Sequence, residues 1–153
     1  MKSVTYRNSY ALHVSKTISA PRDYVFGWCT DYRDTDPKIT GSKTKRKILL
    51  RTKHRVVYVE TYHSHGQARN AIDVVTLYPP KSWHLDFISD EDDETGNYVL
   101  TSLGTHKTRL DMTFREHYKV ANPPSKTQYQ KAVSQTWDKY VERLEKDYNL
   151  TRH

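Results

Sequence analysis

The stretch from Ser125 to Tyr148 reads SKTQYQKAVSQTWDKYVERLEKDY and has the pattern of a long helix. Ser125 is followed three residues later by Gln128, which is the pattern of a capping box at a helix start. Beyond this cap, apolar and aromatic residues recur every three or four positions on one side, and charged residues occupy the other side. We therefore predict an amphipathic helix of about seven turns, whose apolar side must be covered by other parts of the chain.

The middle of the chain predicts a β-sheet that can supply this cover. Leu110, Met112 and Phe114 alternate with polar neighbours, which is typical of a strand in an antiparallel sheet with one covered face and one solvated face. Gly66 and Pro79-Pro80 are among the turn signals that separate the strands. The expected strands span about residues 44–51, 54–63, 67–78, 82–89, 97–103 and 106–118.

The beginning of the chain predicts one further strand followed by two short helices. Apolar and polar residues alternate from Leu12 to Ile18, and Ala20-Pro21 ends this strand and opens the first helix. A polar connection follows, in which a second short helix reaches Ile39 before Gly41-Ser42. The buried stripe of the first helix is expected to contain Tyr24, Val25, Trp28 and, as a small core residue, Cys29.

The composition favours a single folded domain. The chain has 153 residues and a formal charge of +7, and 12% of its residues are aromatic, which is too many for a disordered chain. We assign residues 1–10 to an extended segment and residues 11–150 to the domain. No apolar stretch is long enough to cross a membrane and the first residues lack a secretory signal, so we expect a cytoplasmic protein. The single cysteine excludes an internal disulfide framework.

The order of these elements, together with the start of the domain, resembles a known superfamily. Residues 14–21 read VSKTISAP and are followed by Tyr24-Val25-Phe26 and Thr30-Asp31-Tyr32. This arrangement is similar to the strand, Ala-Pro pair, helix and Asp-containing loop of the START/Bet v 1-like (SRPBCC) superfamily, which includes polyketide cyclases and lipid transport proteins. The resemblance extends from about Leu12 to Tyr148. It implies an α+β helix-grip fold, in which a curved antiparallel sheet of about seven strands wraps around the long C-terminal helix and encloses an apolar cavity.

Such a cavity would be lined by inward strand positions and by the apolar stripe of the helix. Tyr and Trp suit a wet or ligand-filled pocket, because a sealed core leaves their polar atoms without partners. Ordinary core packing is the alternative for each residue, and a shift of one residue in strand register would turn a side chain outward. The predicted ligand-binding residues are Tyr58, Tyr62, Trp83, Leu85, Phe87, Leu110, Met112, Phe114, Tyr129, Val133, Trp137, Tyr140 and Val141.

The chain contains no diagnostic catalytic or metal-binding motif. Glu60, Asp73 and Glu116 lie in strand patterns where an inward carboxylate would act as a general base, although outward solvation is the commoner explanation. His63 and His65 share one face of a strand but have no third ligand at diagnostic spacing, so no metal is predicted. The catalytic residues stay unassigned. No cofactor is expected, because the five glycines are scattered and form no phosphate-binding loop.

The charge is concentrated in two segments. An unbroken acidic run from Asp90 to Glu94 precedes Thr95-Gly96-Asn97, and we interpret it as a solvated turn. A basic segment between residues 43 and 55 has no acid, as expected for the solvated face of a hairpin or for a surface that binds an anionic partner. Its cations are Lys43, Lys45, Arg46, Lys47, Arg51, Lys53 and Arg55.

Three functions are consistent with these features. The first is a carrier or sensor that buries a small hydrophobic or amphipathic ligand between the sheet and the helix. The second is an enzyme in the same cavity that performs cyclisation, dehydration or hydrolysis, as some members of the superfamily do. The third is an interaction protein that binds RNA or an acidic partner through the basic segment, although the sequence contains no RNA-recognition motif.

Overall fold

A computed structural model describes Ser3, Tyr6 and residues 8–152 of the chain. Within this part, seven strands form one antiparallel sheet in the order β1-β7-β6-β5-β4-β3-β2. The strands are β1 Asn8–Ile18, β2 Lys45–Arg51, β3 Arg55–Ser64, β4 Gln67–Tyr78, β5 Ser82–Ser89, β6 Asp92–Gly104 and β7 Lys107–Tyr118. Helix α1 (Arg22–Cys29) and a 3-10 helix (Asp36–Thr40) connect β1 to β2, and the long helix α2 (Lys126–Thr151) follows β7. The predicted α+β helix-grip fold is confirmed.

The cap of α2 has the predicted geometry. The backbone N–H of Gln128 donates to Ser125 Oγ at 3.2 Å, and the backbone N–H of Ser125 donates to Gln128 Oε1 at 3.0 Å. The helix then lies against the inner face of the sheet, where Lys16 Nζ on β1 donates to Ser134 Oγ at 2.8 Å and to Asp138 Oδ1 at 2.6 Å. These contacts direct the aromatic stripe of α2 toward the core. Among the described helices, none has both the length and the apolar character needed to cross a membrane.

The strand register sorts the inner face of the sheet into an apolar end and a polar end. At the apolar end, Trp83 stands opposite Leu77 on one side and Tyr98 on the other, and all three are buried. A Cβ atom on Gly96, in the next row, would lie 3.0 Å from the Tyr98 ring and 3.2 Å from the Phe114 ring, so this glycine makes room for the aromatic packing. At the polar end, one row across the sheet contains Tyr58, Asp73, Phe87, Glu94, Glu116 and Tyr10.

The acidic run is not the solvated turn that we predicted. Residues 90–91 form a bend, and β6 begins at Asp92 instead of near Asn97. The antiparallel pairing with β7 extends through the acidic residues, which places Glu94 directly opposite Glu116. The prediction was wrong because consecutive charges beside Gly96 have the composition of a turn, whereas the glycine here serves packing within a strand.

The first strand is longer than predicted. β1 begins at Asn8, so the last three residues of the predicted extended segment 1–10 belong to the sheet. The hydroxyl of Tyr6 donates to Asp93 Oδ2 at 2.8 Å. Residues 1, 2, 4, 5 and 7 lie outside the described residues, and the division into a 1–10 segment and an 11–150 domain stays a prediction.

Candidate functional site

A cavity lies between the sheet, α1, the 3-10 helix and α2. It has a volume of about 160 Å³, similar to the roughly 150 Å³ of an apolar cavity that holds benzene in a protein core. Six of its lining side chains are aromatic. The lining residues are Trp28, Cys29, Tyr32, Asp36, Ile39, Arg46, Tyr58, Leu85, Tyr98, Trp137 and Tyr140.

Ring–ring contacts fix the orientation of the cavity wall. The ring of Trp137 on α2 lies 5.8 Å from Tyr98 on β6 and 5.2 Å from Tyr140, measured between centroids. Trp28 on α1 lies 6.4 Å from Tyr140, and its indole N–H donates to Asp147 Oδ2 at 2.9 Å. Burial raises the pKa values of Tyr98 and Tyr140, so both hydroxyls are neutral at physiological pH. The wall therefore combines rigid apolar surface with neutral hydrogen-bonding groups.

Tyr32 enters the cavity from the connection between α1 and the 3-10 helix. Its backbone is left-handed, with φ of 44°, a conformation that is unfavourable for a bulky side chain. Arg51 Nη2 donates to the Tyr32 carbonyl at 3.1 Å, and the Tyr32 ring lies 5.5 Å from Tyr58. Strained residues of this kind cluster at functional sites, where the surrounding structure holds them in place.

Arg46 is the basic side chain of the cavity wall. Its guanidinium carbon lies 4.3 Å from the centroid of the Tyr58 ring. Nη1 lies 3.2 Å from Asp36 Oδ2, and Nη2 lies 3.0 Å from Glu60 Oε1. The side chain is only 9% exposed, so the prediction that Arg46 belongs to an exposed basic face was wrong. The reason is the alternation along β2, which turns every second side chain inward.

Asp73 is a buried carboxyl group next to this wall. It is 3% exposed and stands opposite Tyr58 in the pairing of β3 with β4. Burial raises the pKa of Asp73 to about 8; repulsion from Glu60 adds to the rise, while Arg46 and the neighbouring Tyr58 hydroxyl oppose it. Asp73 Oδ2 has no hydrogen-bond partner among the described residues. A carboxyl group in this condition gains and loses a proton near neutral pH.

A second acidic group lies farther along the same row. Glu116 on β7 is completely buried and stands opposite Glu94 on β6. The hydroxyl of Tyr129 on α2 donates to Glu94 Oε2, whereas neither oxygen of Glu116 has a hydrogen-bond partner among the described residues. Burial, reinforced by Asp92 and Glu94, raises the pKa of Glu116 far above its ordinary value. Glu116 therefore keeps a proton at neutral pH, and the pair carries one negative charge instead of two.

Two grooves border the polar end of the interior. One has a volume of about 690 Å³ and is lined in part by Glu60, Phe87 and Asp92. The other has a volume of about 580 Å³ and is lined in part by Asp92 and Tyr118. Arg46 lines the aromatic cavity and Glu60 lines the first groove, so their ion pair separates these two spaces.

The architecture matches several solved structures, although no family model and no curated protein matches the sequence. Zhui aromatase/cyclase from Streptomyces sp. R1128 has a TM-score of 0.72 and 13% identity, over 95% of this chain and 97% of that chain. TTHA0849 from Thermus thermophilus has a TM-score of 0.70 and 15% identity, over 94% and 100%. A START superfamily protein from Mycobacterium smegmatis has a TM-score of 0.65 and 16% identity, over 92% and 98%.

The chain has the START/Bet v 1-like fold. The resemblance stated from the sequence is confirmed at this level, and identities this low establish the fold alone.

Within the START/Bet v 1-like fold, the predicted ligand-binding residues fall into three groups. Tyr58, Leu85, Trp137 and Tyr140 line the aromatic cavity. Tyr62 and Phe87 line the neighbouring groove. The remainder pack in or against the core without lining the cavity, because α2 lies directly on the sheet there; they are Trp83, Leu110, Met112, Phe114, Tyr129, Val133 and Val141. Contact of any of these residues with a ligand stays a prediction.

The three acids considered as general bases are all wholly or partly buried. Asp73 and Glu116 are buried and Glu60 is half-buried, so the expectation of outward solvation was wrong. Inward charge is tolerated here because Arg46 pairs with Glu60, and because protonation neutralises the other two.

The remaining candidates are the His pair, Cys29 and the basic segment. His63 and His65 are exposed at the turn between β3 and β4, and the described residues contain no group of three or more metal-ligating side chains. Cys29 lines the cavity, where burial raises the pKa of its thiol. Six cations of the basic segment are exposed, and their role as a partner site stays a prediction; they are Lys43, Lys45, Lys47, Arg51, Lys53 and Arg55.

Sequence reasoning missed several residues of the site. Tyr98 shares the alternation of Leu100, and Arg46 shares that of Ile48, so their inward direction had a signal in the sequence. Tyr32 had none, because its place depends on how the connection after α1 folds over the sheet.

Proposed function

We propose that this chain binds a small hydrophobic or amphipathic molecule between the sheet and α2, as a carrier or a sensor. One observation carries the proposal, namely the cavity of about 160 Å³ with six aromatic side chains in its wall. A cavity of this size has room for one aromatic ring, whose burial is favoured by hydrophobic transfer and by ring–ring contacts. The groove beyond the Arg46–Glu60 ion pair would hold the polar part of a longer ligand.

Occupation of the cavity is tested with 4-ethylphenol as the probe, titrated against the protein in ligand-observed NMR. Cys29→Met adds atoms inside the cavity and is expected to weaken probe binding about tenfold or more, since one displaced ring loses at least about 1.4 kcal/mol. Met112→Leu is the matched control, because Met112 is fully buried but does not line the cavity. Equal affinity of the wild type and Cys29→Met would show that the probe binds elsewhere. Native mass spectrometry of the purified protein would identify a co-purifying ligand.

An enzyme in the same cavity is the second candidate function, and the position of Asp73 favours it. Tyr58 lines the cavity and stands directly opposite Asp73 in the pairing of β3 with β4. The pKa of Asp73, about 8, suits proton transfer near neutral pH. A proton leaving a bound substrate or water would pass to Tyr58 as the Tyr58 proton moves to Asp73. One of the superposed structures is an aromatase/cyclase, so enzymes are built on this fold.

The enzyme function is tested with p-nitrophenyl acetate, whose hydrolysis needs a base to activate water. The base is the ionised form of Asp73, so the rate is expected to rise with pH and to level off above about pH 8. Asp73→Asn is expected to lower the rate about a hundredfold, toward the buffer rate, while probe binding is retained. Asp111→Asn on the outer side of β7 is the matched control. If Asp73→Asn hydrolyses the ester as fast as the wild type, Asp73 is not a catalytic base.

A further inference from the structure

The polar end of the interior has an excess of hydrogen-bond acceptors. Glu94 and Glu116 face each other there, and Glu116 is completely buried with no hydrogen-bond partner for either oxygen among the described residues. The basic side chains at this end bind elsewhere. Lys119 donates to the Ser89 carbonyl and to Asp93 Oδ1, and Arg69 Nε lies 3.4 Å from Glu91.

We propose that this acceptor group, formed by Glu94, Glu116 and Tyr129, binds the protonated amine of an amphipathic ligand. The inference names the ligand class for the binding function proposed above and rests on that function. An ammonium group carries three N–H donors, and this group offers two carboxyl groups and a phenol oxygen as acceptors. Hydrogen bonds to ionised groups are the stronger ones in a site withdrawn from water.

Tyrosine rings surround the acceptor group and favour a cation. The Tyr129 ring lies 6.2 Å from Tyr118, and the Tyr118 ring lies 6.0 Å from Tyr10, both edge to face. The faces of such rings attract an organic cation through their quadrupoles. A bare metal ion fits less well, because the described residues contain no group of three or more side chains able to ligate one.

A ligand would reach the acceptor group from the groove beside it. Tyr118 lies two residues after Glu116 on the same face of β7, and Asp92 lies two residues before Glu94 on the same face of β6. Both Tyr118 and Asp92 line the groove of about 580 Å³. Glu94 and Glu116 are therefore the next inward-facing residues along β6 and β7 after those that line this groove.

Charge balance links the amine to a proton. In the free protein, the proton held by Glu116 compensates the second negative charge of the pair. An arriving ammonium supplies the same positive charge, so Glu116 ionises as the amine binds. The other titratable groups that face the pair are Asp92 on β6, Asp73 on β4, Tyr118 on β7, Tyr10 on β1 and Tyr129 on α2, and none of them is a cation.

The test compares 2-phenylethylamine with 2-phenylethanol, which has the same ring and chain length but no charge. Both are titrated into the protein by calorimetry at pH 7, in two buffers of different ionisation enthalpy. The amine is expected to bind about tenfold tighter than the alcohol, or more, as for a charged hydrogen-bonded group. It is also expected to release about one proton on binding, whereas the alcohol releases none.

Two variants locate the effect. Glu116→Gln keeps the shape and is expected to abolish both the amine preference and the proton release, while the affinity for 2-phenylethanol is unchanged. Glu142→Gln, at an exposed position of α2, is expected to behave as the wild type. Equal affinities for amine and alcohol in the wild type would overturn the inference but leave the binding function standing. An amine preference that survives in Glu116→Gln would do the same. If neither compound binds, the binding function proposed above fails together with the inference.

Discussion

Glu116→Gln is expected to stabilise the protein by about 5 kcal/mol at pH 8. Folding of the wild type at this pH requires Glu116 to take up a proton, because the buried carboxyl group stands opposite Glu94. In the unfolded chain the same group ionises at about pH 4.3, and each pH unit above this value lowers the stability of the folded state by about 1.4 kcal/mol. A glutamine amide needs no proton, and its N–H groups are donors beside the Glu94 carboxylate.

The sign of the pH dependence follows from the raised pKa. The folded state binds one more proton than the unfolded state at every pH between the two pKa values of Glu116. Its contribution to stability is therefore complete below about pH 4 and is lost progressively as the pH rises. Asp73 acts in the same direction, but only up to its pKa of about 8.

Urea unfolding followed by tryptophan fluorescence measures the effect at intervals between pH 5 and pH 9. The free energy of unfolding of Glu116→Gln should fall by about 1.4 kcal/mol less per pH unit than that of the wild type. Glu142→Gln, which is exposed on α2, should follow the wild type throughout. Parallel curves for Glu116→Gln and the wild type would mean that Glu116 is ionised in the folded protein.

Local signals made most of the fold predictable. The capping box at Ser125 and Gln128 depends on neighbours in the chain, and the alternation of Leu110, Met112 and Phe114 depends only on strand geometry. The start of β6 was not predictable in this way. Nothing near Glu94 in the sequence indicates that Glu116 stands opposite it. The pairing matters because it raises the pKa of Glu116, so that Glu116 keeps its proton and the two acids carry one negative charge instead of two.

The cavity was predictable where it is built from regular elements. Tyr58 and Leu85 follow from strand alternation, and Trp137 and Tyr140 follow from the helix period. Tyr32 and Asp36 come from the connection between α1 and β2, whose path over the sheet depends on tertiary contacts such as the Arg46–Asp36 ion pair. A count of charges cannot distinguish Arg46 from the exposed cations beside it. The alternation along β2 can, because it turns Arg46 inward.

Arg46→Met is expected to destabilise the protein by about 3–5 kcal/mol, because it leaves Glu60 without its cation and Asp36 with only the half-exposed Arg33, at a site largely withdrawn from water. The Asp36 and Glu60 side chains are 18% and 17% exposed, and both lie within 3.2 Å of the guanidinium. The substitution also removes the cation from the face of the Tyr58 ring. Arg46→Lys should recover only part of the loss, because one ammonium cannot reproduce the two-sided fork.

Lys45→Met and Lys47→Met are the matched controls, since they remove the same charge from exposed positions on the same strand. Each is expected to change the free energy of unfolding by no more than about 0.5 kcal/mol in urea titrations. The combined variant Arg46→Met, Asp36→Asn, Glu60→Gln should be more stable than Arg46→Met alone, because both carboxylates that Arg46 paired with are then replaced by neutral amides. If all three single Met variants unfold at the same urea concentration as the wild type, Arg46 is exposed to solvent as Lys45 and Lys47 are. In that case the Arg46–Glu60 ion pair does not separate the aromatic cavity from the groove at Glu60.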